Sequence, residues 1–567
     1  MPRKVLWAIL IGSALHGFFV LTARYHWSYD AYTHMLFGNH YRENWFGLWE
    51  PRWYTGFEVV SYPPLIHQLV GAFAFLVGFE AAFAIMLWLI TSLVPLAIYS
   101  WSHIFIGKTA SAHAALISAI HLPIFVTAHI FGQLPFLAAT TLALFEMSAL
   151  ALYLKHGKPR HLFLAVALTA TTMAAHHATL MAQPFLGFAV VVAYVERENL
   201  KTIALRVTHY LLLAIPAGVL VIWPFWAWGQ TQQLQTPIDH LSRYNFFQSA
   251  LAAAIFFLPY YLPLGFILPF LVKKINKKHF GLAFAFLFFF IIGLGGTTPL
   301  PKILLGKNWE WLTYDRFAFW ASLLLVTFLG MNFARLKQRW RLTLPFGFLP
   351  RWKVNPTHLI IAFLFCLSLL SWTTPFMLPL QPSEIDMQPI VSFLEEDNHS
   401  DWRYLTFGFG DQFAHLNLLT TATTIDGSYH TARTLPELRQ SGIGQIDTTF
   451  WALKGIPAIR PILQKSGEHG VRWGFVNKWE YVLELNKAGW KYKQTLSNNI
   501  SVWENPNAIR PEPFQPPQVS KLESLSWGIL PMFSLFCTGW LTILCFKPLQ
   551  RRSKGAPTQP VHQPPWH

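Results

Sequence analysis

Apolar runs of about twenty residues recur along this chain, separated by short loops rich in Lys and Arg, and no other feature constrains it as strongly. A run of that length crosses ~30 Å of hydrocarbon only as a helix, because nothing else satisfies each backbone N–H and C=O in the absence of water. Twelve runs read as spans: 5–22, 81–105, 111–129, 132–154, 161–179, 180–196, 206–225, 248–272, 280–295, 316–334, 357–373 and 526–546. Only 12% of the 567 residues are charged, about half the ~25% usual in soluble domains. The net charge of +16 is placed in loops beside the runs: Lys273, Lys274, Lys277 and Lys278, then Arg335, Lys337, Arg339 and Arg341. Charge so placed sets membrane orientation and argues against nucleic acid as a partner. The three cysteines, Cys366, Cys537 and Cys545, all lie inside runs and read as small hydrophobic residues.

Loop charge sets the topology. Arg3 and Lys4 precede the first run, which lacks a small-x-small cleavage site and reads as a retained helix with a cytoplasmic N-terminus. The stretch 65–78 decides the parity. Were it a span, the basic loops 155–160 and 273–278 would fall outside. Laid along the outer surface, which suits its fourteen or so residues, it puts every basic loop inside. The expectation is a multi-pass protein of the plasma (inner) membrane with both termini cytoplasmic. Residues 1–374 form a transmembrane core with a first outer loop 24–80, and 375–525 form an extracytoplasmic α/β domain. A final helix 526–546 and a cytoplasmic tail 547–567 follow. Within 375–525, strands are predicted at 403–408, 470–476 and 500–503, and helices at 387–396 and 479–488. Residues 511–517 read as a Pro-rich linker.

The first outer loop carries the most chemistry. It reads His26-Trp27-Ser28-Tyr29-Asp30-Ala31-Tyr32-Thr33-His34, then Trp49-Glu50-Pro51-Arg52-Trp53-Tyr54, then Tyr62-Pro63-Pro64-Leu65. A carboxylate just beyond a span, among interfacial aromatics, can take a proton from a sugar or lipid hydroxyl or help hold a divalent cation. Alternatively, Asp30 caps a short surface helix. His34, one turn on, either orients that carboxylate or is an interfacial histidine.

Asp30 soon after the first span, Trp49-x-Pro51, and Tyr62-Pro63-Pro64-Leu65 before a surface helix together resemble the GT-C glycosyltransferases. The nearest pattern is the branch with protein mannosyltransferases and the lipid A aminoarabinose transferase. The chain also resembles bacterial membrane proteins called 6-pyruvoyl-tetrahydropterin synthase-related, without the tandem zinc-binding histidines of that synthase. The GT-C resemblance implies a mainly α fold of about twelve transmembrane helices with an outer α/β domain. It implies a polyprenyl-phosphate-linked sugar as donor, a cell-envelope acceptor, and Asp30 as the base. The sequence departs from the pattern in having no second acid adjacent to Asp30; Glu43, Glu50 and Glu58 follow instead. No cofactor is required, and a divalent cation stays open.

Other candidates would bind substrate. His176 and His177, at the outer end of a span, either meet a phosphate or acceptor or satisfy each other. Lys302, Lys307 and Arg316 lie in an outer loop where basic residues are unexpected, and Arg52 is similar. Each could bind a lipid-linked phosphate. The alternatives are an Asp315–Arg316 ion pair or headgroup contact. The glycines of Phe407-Gly408-Phe409-Gly410-Asp411 and Asp426-Gly427-Ser428-Tyr429 mark turns. A non-catalytic envelope scaffold is the competing class. A transporter, the third, needs intramembrane ionisable groups, which are few here apart from the histidines.

Overall fold

The computed structural model describes residues 1–195, 199–232, 235–265, 276–336, 356–378, 380–451, 455–512 and 518–546. The protein is mostly helical. In chain order come α1 (Arg3–Leu21), α2 (Ala31–Glu43), α3 (Leu65–Val77), α4 (Phe79–Phe105), α5 (Lys108–Ser118), α6 (Leu122–Phe125), α7 (Leu134–His156), α8 (Pro159–Ala175), α9 (Gln183–Val195) and α10 (Leu200–Val221). Phe280–Gly293, Asp315–Leu336, Pro356–Met377 and Lys521–Phe546 are the long helices of the second half.

Helix α7 shows how the sequence sets these elements. Pro135 sits in its first turn, Lys155 and His156 in its last, and Gly157 ends it with φ 62°. Pro costs nothing where the N–H is unpaired anyway, the cations oppose the C-terminal dipole, and glycine tolerates the left-handed turn. Helix α7 is buried between α4 and α8. By contrast, α10 and Lys521–Phe546 turn apolar side chains outward, with Leu212 and Phe536 each 66% exposed. Faces of that kind require lipid, and the chain is a multi-pass membrane protein.

Among the described residues six helices are long and apolar enough to cross a membrane, or seven if one bent pair counts as a span. The expected number of twelve is not established by these helices, and residues 266–272 of the expected run 248–272 lie outside the described residues. The run 111–129 divides into α5 and Leu122–Ile130, which meet at 45°. The run 161–179 leaves the α-helix at His176, which is extended, and continues as a 3-10 turn over His177–Met181. The run 180–196 yields the 13-residue helix α9. The polar, Pro-bearing breaks shorten these helices below the usual spanning length. Lys273, Lys274, Lys337, Arg339, Arg341 and the tail 547–567 lie outside the described residues, as does 513–517 of the expected linker.

Helix α3 occupies the stretch expected on the surface. Thirteen residues at 1.5 Å each make ~20 Å, short of a span. It buries Leu65, Ile66, His67, Gln68 and Val70, exposes Phe75 and Leu76, and is tied to the last helix by Gln68 Nε2 donating to Trp527 O at 2.9 Å.

In the first loop, β1 (Trp49–Glu50) and β2 (Phe57–Glu58) make a small antiparallel pair. Later, β3 (Arg403–Phe407), β4 (Val471–Val476), β5 (Lys491–Thr495) and β6 (Ser501–Glu504) form a mixed sheet in the order β3-β4-β6-β5. β3 pairs with β4 in parallel; the other pairings are antiparallel. The three predicted strands and both predicted helices are present. The strand that was not predicted is β5, exposed throughout, whose Lys491 and Lys493 suit an edge that must not pair with another chain. The sheet segment locks onto the first loop: Trp53 Nε1 donates to Asn417 Oδ1 at 2.9 Å, Thr424 N to Arg52 O at 2.9 Å, and the Tyr429 hydroxyl to Ser61 O at 2.7 Å.

Candidate active site

The site is organised by the start of α2. Tyr29 N and Asp30 N donate to Ile130 O and Phe131 O, both at 2.9 Å, so the loop is clamped to the end of a π-helical turn over Val126–Ile130. Gly132 makes the approach achievable. Its φ is 69°, and a Cβ there would lie 2.5 Å from Ser28 Oγ and 3.0 Å from Ala31 N. Gly132→Ala is expected to destabilise the protein by about 1–3 kcal/mol, the usual cost of a strained backbone position. Thermal unfolding of the variant in detergent tests this, and an unchanged midpoint would show that the clamp yields freely.

Asp30 stands at the N-cap position of α2 but its carboxylate makes no capping hydrogen bond. Its ψ is 0°, whereas a capping side chain needs extended backbone to reach the second or third amide. Asp30 is half-buried, and its carboxylate lies within electrostatic reach of Asp411, Arg316 and Asp315. Burial raises its pKa well above the ordinary carboxylate range; Asp411 and Asp315 add to the rise, and Arg316 opposes it.

Asp411 comes from the turn after β3. Its carboxylate accepts the Thr33 hydroxyl at 2.9 Å and the Thr33 amide at 3.2 Å, and burial pushes its pKa up to about 6. Asp447 shapes that turn by accepting the amides of Gly408, Phe409 and Gly410 at 2.6–2.7 Å. Gly408 and Gly410 both have positive φ. These glycines make a turn and not a phosphate cradle, since their amides are already used. Asp426 likewise holds its own turn through the amides of Gly427 and Ile446, presenting Ser428 to Thr33 at 2.6 Å.

Arg316 opens the helix Asp315–Leu336. Its guanidinium lies 5.7 Å from the Phe136 ring, and its Nε is buried without a hydrogen-bond partner. No ion pair joins it to Asp315, whose Oδ2 instead accepts Gln133 Nε2 at 3.5 Å. Its charge acts on Asp30, His34, His176, His177, His240 and His430. His34 is pushed down to about 3 by burial and then by Arg316, so it is neutral, and its Nδ1 lies 3.1 Å from His67 Nε2. His176 and His177 stack at 5.4 Å, and Tyr62 sets its ring edgewise to both. Their Nδ1 atoms are buried and have no hydrogen-bond partner. An arginine beside histidines whose ring nitrogens have no hydrogen-bond partner among the described residues is an arrangement that can receive an anion.

No protein family and no curated protein matches the sequence. Solved structures do. Over 90% of this chain and 42% of the other, it superposes on arabinofuranosyltransferase AftD from mycobacteria, with a TM-score of 0.54 and 12% identity. Over 90% of this chain and 100% of the other, it superposes on ArnT from Cupriavidus metallidurans in the apo state, with a TM-score of 0.50 and 12% identity. The overall fold is the one that these two structures display. This chain spans less than half the length of AftD, and at such identity the likeness concerns the fold alone. The resemblance to 6-pyruvoyl-tetrahydropterin synthase-related proteins finds no support.

Within that fold, Asp30, His34, His176, His177 and Arg316 come together. The other candidates do not join them. Arg52 is held by Glu50 at 3.0 Å and Glu43 at 2.5 Å, and Glu50 also takes His40 at 3.0 Å. That cluster occupies two of the three later acids of the loop, and Glu58 faces Glu523. Lys302 and Lys307 are exposed on Leu300–Leu305 and Gly306–Trp311, with no ion pair among the described residues. Asp411, Ser428, His240 and His430 were not read as site residues. Their only sequence signals are turn glycines and isolated histidines. Elsewhere, Glu146 in α7 is an intramembrane acid that the sequence reading passed over. It is fully buried and bound by Tyr210, Thr169 and Gln183 at 2.6, 3.1 and 2.8 Å. So satisfied a carboxyl ties α7, α8, α9 and α10 together. Among the described residues no group of three or more His, Cys, Asp or Glu side chains is arranged to hold a metal ion.

Proposed function

We propose that the protein is a glycosyltransferase that moves a sugar from a polyprenyl-phosphate donor to a cell-envelope acceptor at the outer membrane face. One observation carries this reading: an uncapped carboxylate lies within electrostatic reach of an arginine whose buried Nε has no hydrogen-bond partner among the described residues, in a fold shared with AftD. Asp30 takes the proton from the acceptor hydroxyl as its oxygen attacks the anomeric carbon. The bond from that carbon to the phosphate oxygen breaks, and the lipid phosphate leaves with the electron pair. Arg316 meets the negative charge, with His34, His176 and His177 lining the path. A single displacement inverts the anomeric centre. A raised pKa makes Asp30 a stronger base, and activity rises with pH as it ionises. No nucleotide site is needed, because the lipid carries the activated sugar.

Lipid-linked glycans of a strain lacking the protein test the reading. One polyprenyl-phosphate sugar should accumulate while an envelope glycan loses a residue, and the purified protein should restore that residue from the same donor. Unchanged profiles with no transfer in vitro would sink it.

The orientation belongs to the same proposal, with both termini cytoplasmic, the sheet segment outside, and the plasma (inner) membrane as the location. It rests on the basic loops. Reporter fusions after Lys278 and within 384–507 should give opposite signals; matching signals would reverse it.

A further inference from the structure

Helix α2 leaves its first amides without intrahelical partners, and the residue placed to satisfy one of them, Asp30, does not do so. The third amide of the helix, that of Thr33, is satisfied from 378 residues away, by Asp411 Oδ2 at 3.2 Å. The Thr33 hydroxyl adds bonds to the same carboxylate at 2.9 and 3.0 Å and meets Ser428 Oγ at 2.6 Å. Asp411 is 2% exposed and held from behind, its own amide donating to Gln381 Oε1 at 2.8 Å. The amide nitrogen of Gln381 donates to Ser28 O at 3.1 Å, so one side chain bridges the Asp411 turn and the residues just before Asp30.

We infer that Asp411 is a positioning residue that caps α2 in place of Asp30, so that the Asp30 carboxylate stays uncapped and free to accept a proton. The physical argument is a competition. A carboxylate at an N-cap position is strongly drawn to the amides of the second and third residues, and capping would take Asp30 away from an acceptor hydroxyl. Asp411 removes one of those two attractions by occupying the Thr33 amide first. The clamp of Tyr29 and Asp30 onto Ile130 and Phe131 holds the backbone in the non-capping conformation. The sheet segment thus contributes to the site without supplying the base. It holds the helix end, and its docking on the first loop becomes a condition for Asp30 to be available.

The inference rests on the general-base reading of Asp30 for its functional part, so the experiment has two arms on the full chain in lipid nanodiscs. Hydrogen exchange at the Thr33 amide needs no activity. In Asp411→Ala it should speed up about 2- to 30-fold, the equilibrium value of a lost cap. In Asp411→Asn, whose amide oxygen can still accept, protection should return. Sugar transfer should fall about 10- to 100-fold in kcat with little change in KM for Asp411→Ala, as expected for a misplaced catalytic group. The Asn variant should recover most of that loss. Unaltered exchange in Asp411→Ala, or no recovery of exchange in Asp411→Asn, overturns the capping role. Faster exchange with unchanged kcat overturns its link to Asp30. An active Asp30→Asn variant instead overturns the general-base reading, and the exchange arm shows that result to be a separate failure.

Discussion

Asp30→Asn is expected to lower turnover about 10²- to 10⁴-fold, the range for losing acid–base catalysis, while the protein inserts and melts as before. The substitution keeps size and removes the charge. Stability should hold because the carboxylate accepts no capping hydrogen bond whose loss would matter. The same geometry makes Asp30→Ala mild in stability. If Asp30 were a working cap, alanine would cost about 1 kcal/mol. Transfer assays with purified variants, beside thermal melts, separate the two effects. Near-normal transfer by a well-folded Asn variant would remove Asp30 from the mechanism.

Arg316→Ala should weaken binding of a polyprenyl phosphate by at least about 30-fold. A charge-assisted contact at a poorly solvated site is worth about 2 kcal/mol or more, and among the described residues Arg316 has no ion pair that would compete for its charge. Titration of the lipid into nanodisc-embedded protein measures it, and an unchanged Kd would place the phosphate elsewhere. Arg316→Lys should fall between, since lysine keeps the charge and loses the planar fork. The pH profile should move as well. Arg316 pulls the Asp30 pKa down, so removing it lets burial, Asp411 and Asp315 raise that pKa further. The rising limb of activity should shift to higher pH. Lys302→Ala and Lys307→Ala should change binding far less, because these exposed lysines sit in solvent-screened positions.

Much of the site was visible in the chain as written, and the reason is local. Asp30 and His34 share a helix face because four residues make one turn. Arg316 stood out because outer loops rarely carry such charge. Arg52 stood out for the same reason yet belongs to Glu50 and Glu43, partners only two and nine residues away. Their pairing depends on the β1–β2 turn folding back, which charge counting does not register. The count of twelve spans is not established among the described residues. Hydropathy averages across a window, so the bend between α5 and α6 and the break at His176 vanish inside apparently continuous apolar runs. The fully satisfied Glu146 escaped notice because a single acid hardly alters such an average.

By itself, the sequence determined that this is a helical membrane protein and where several of its strands and helices lie, and it singled out the loop residues that invite chemistry. Those properties depend on short-range facts: the apolar length needed to cross lipid, the alternation of strands, the side of the membrane that basic loops prefer. Tertiary structure decided which of those residues meet. Asp411 reaches α2 from 378 positions away, Gln381 ties both to Ser28, and Gly132 permits the clamp on Asp30. Whether a carboxylate caps a helix or faces a substrate depends on who else can satisfy the helix amides. That partner is a matter of packing between distant segments, and no local pattern encodes it.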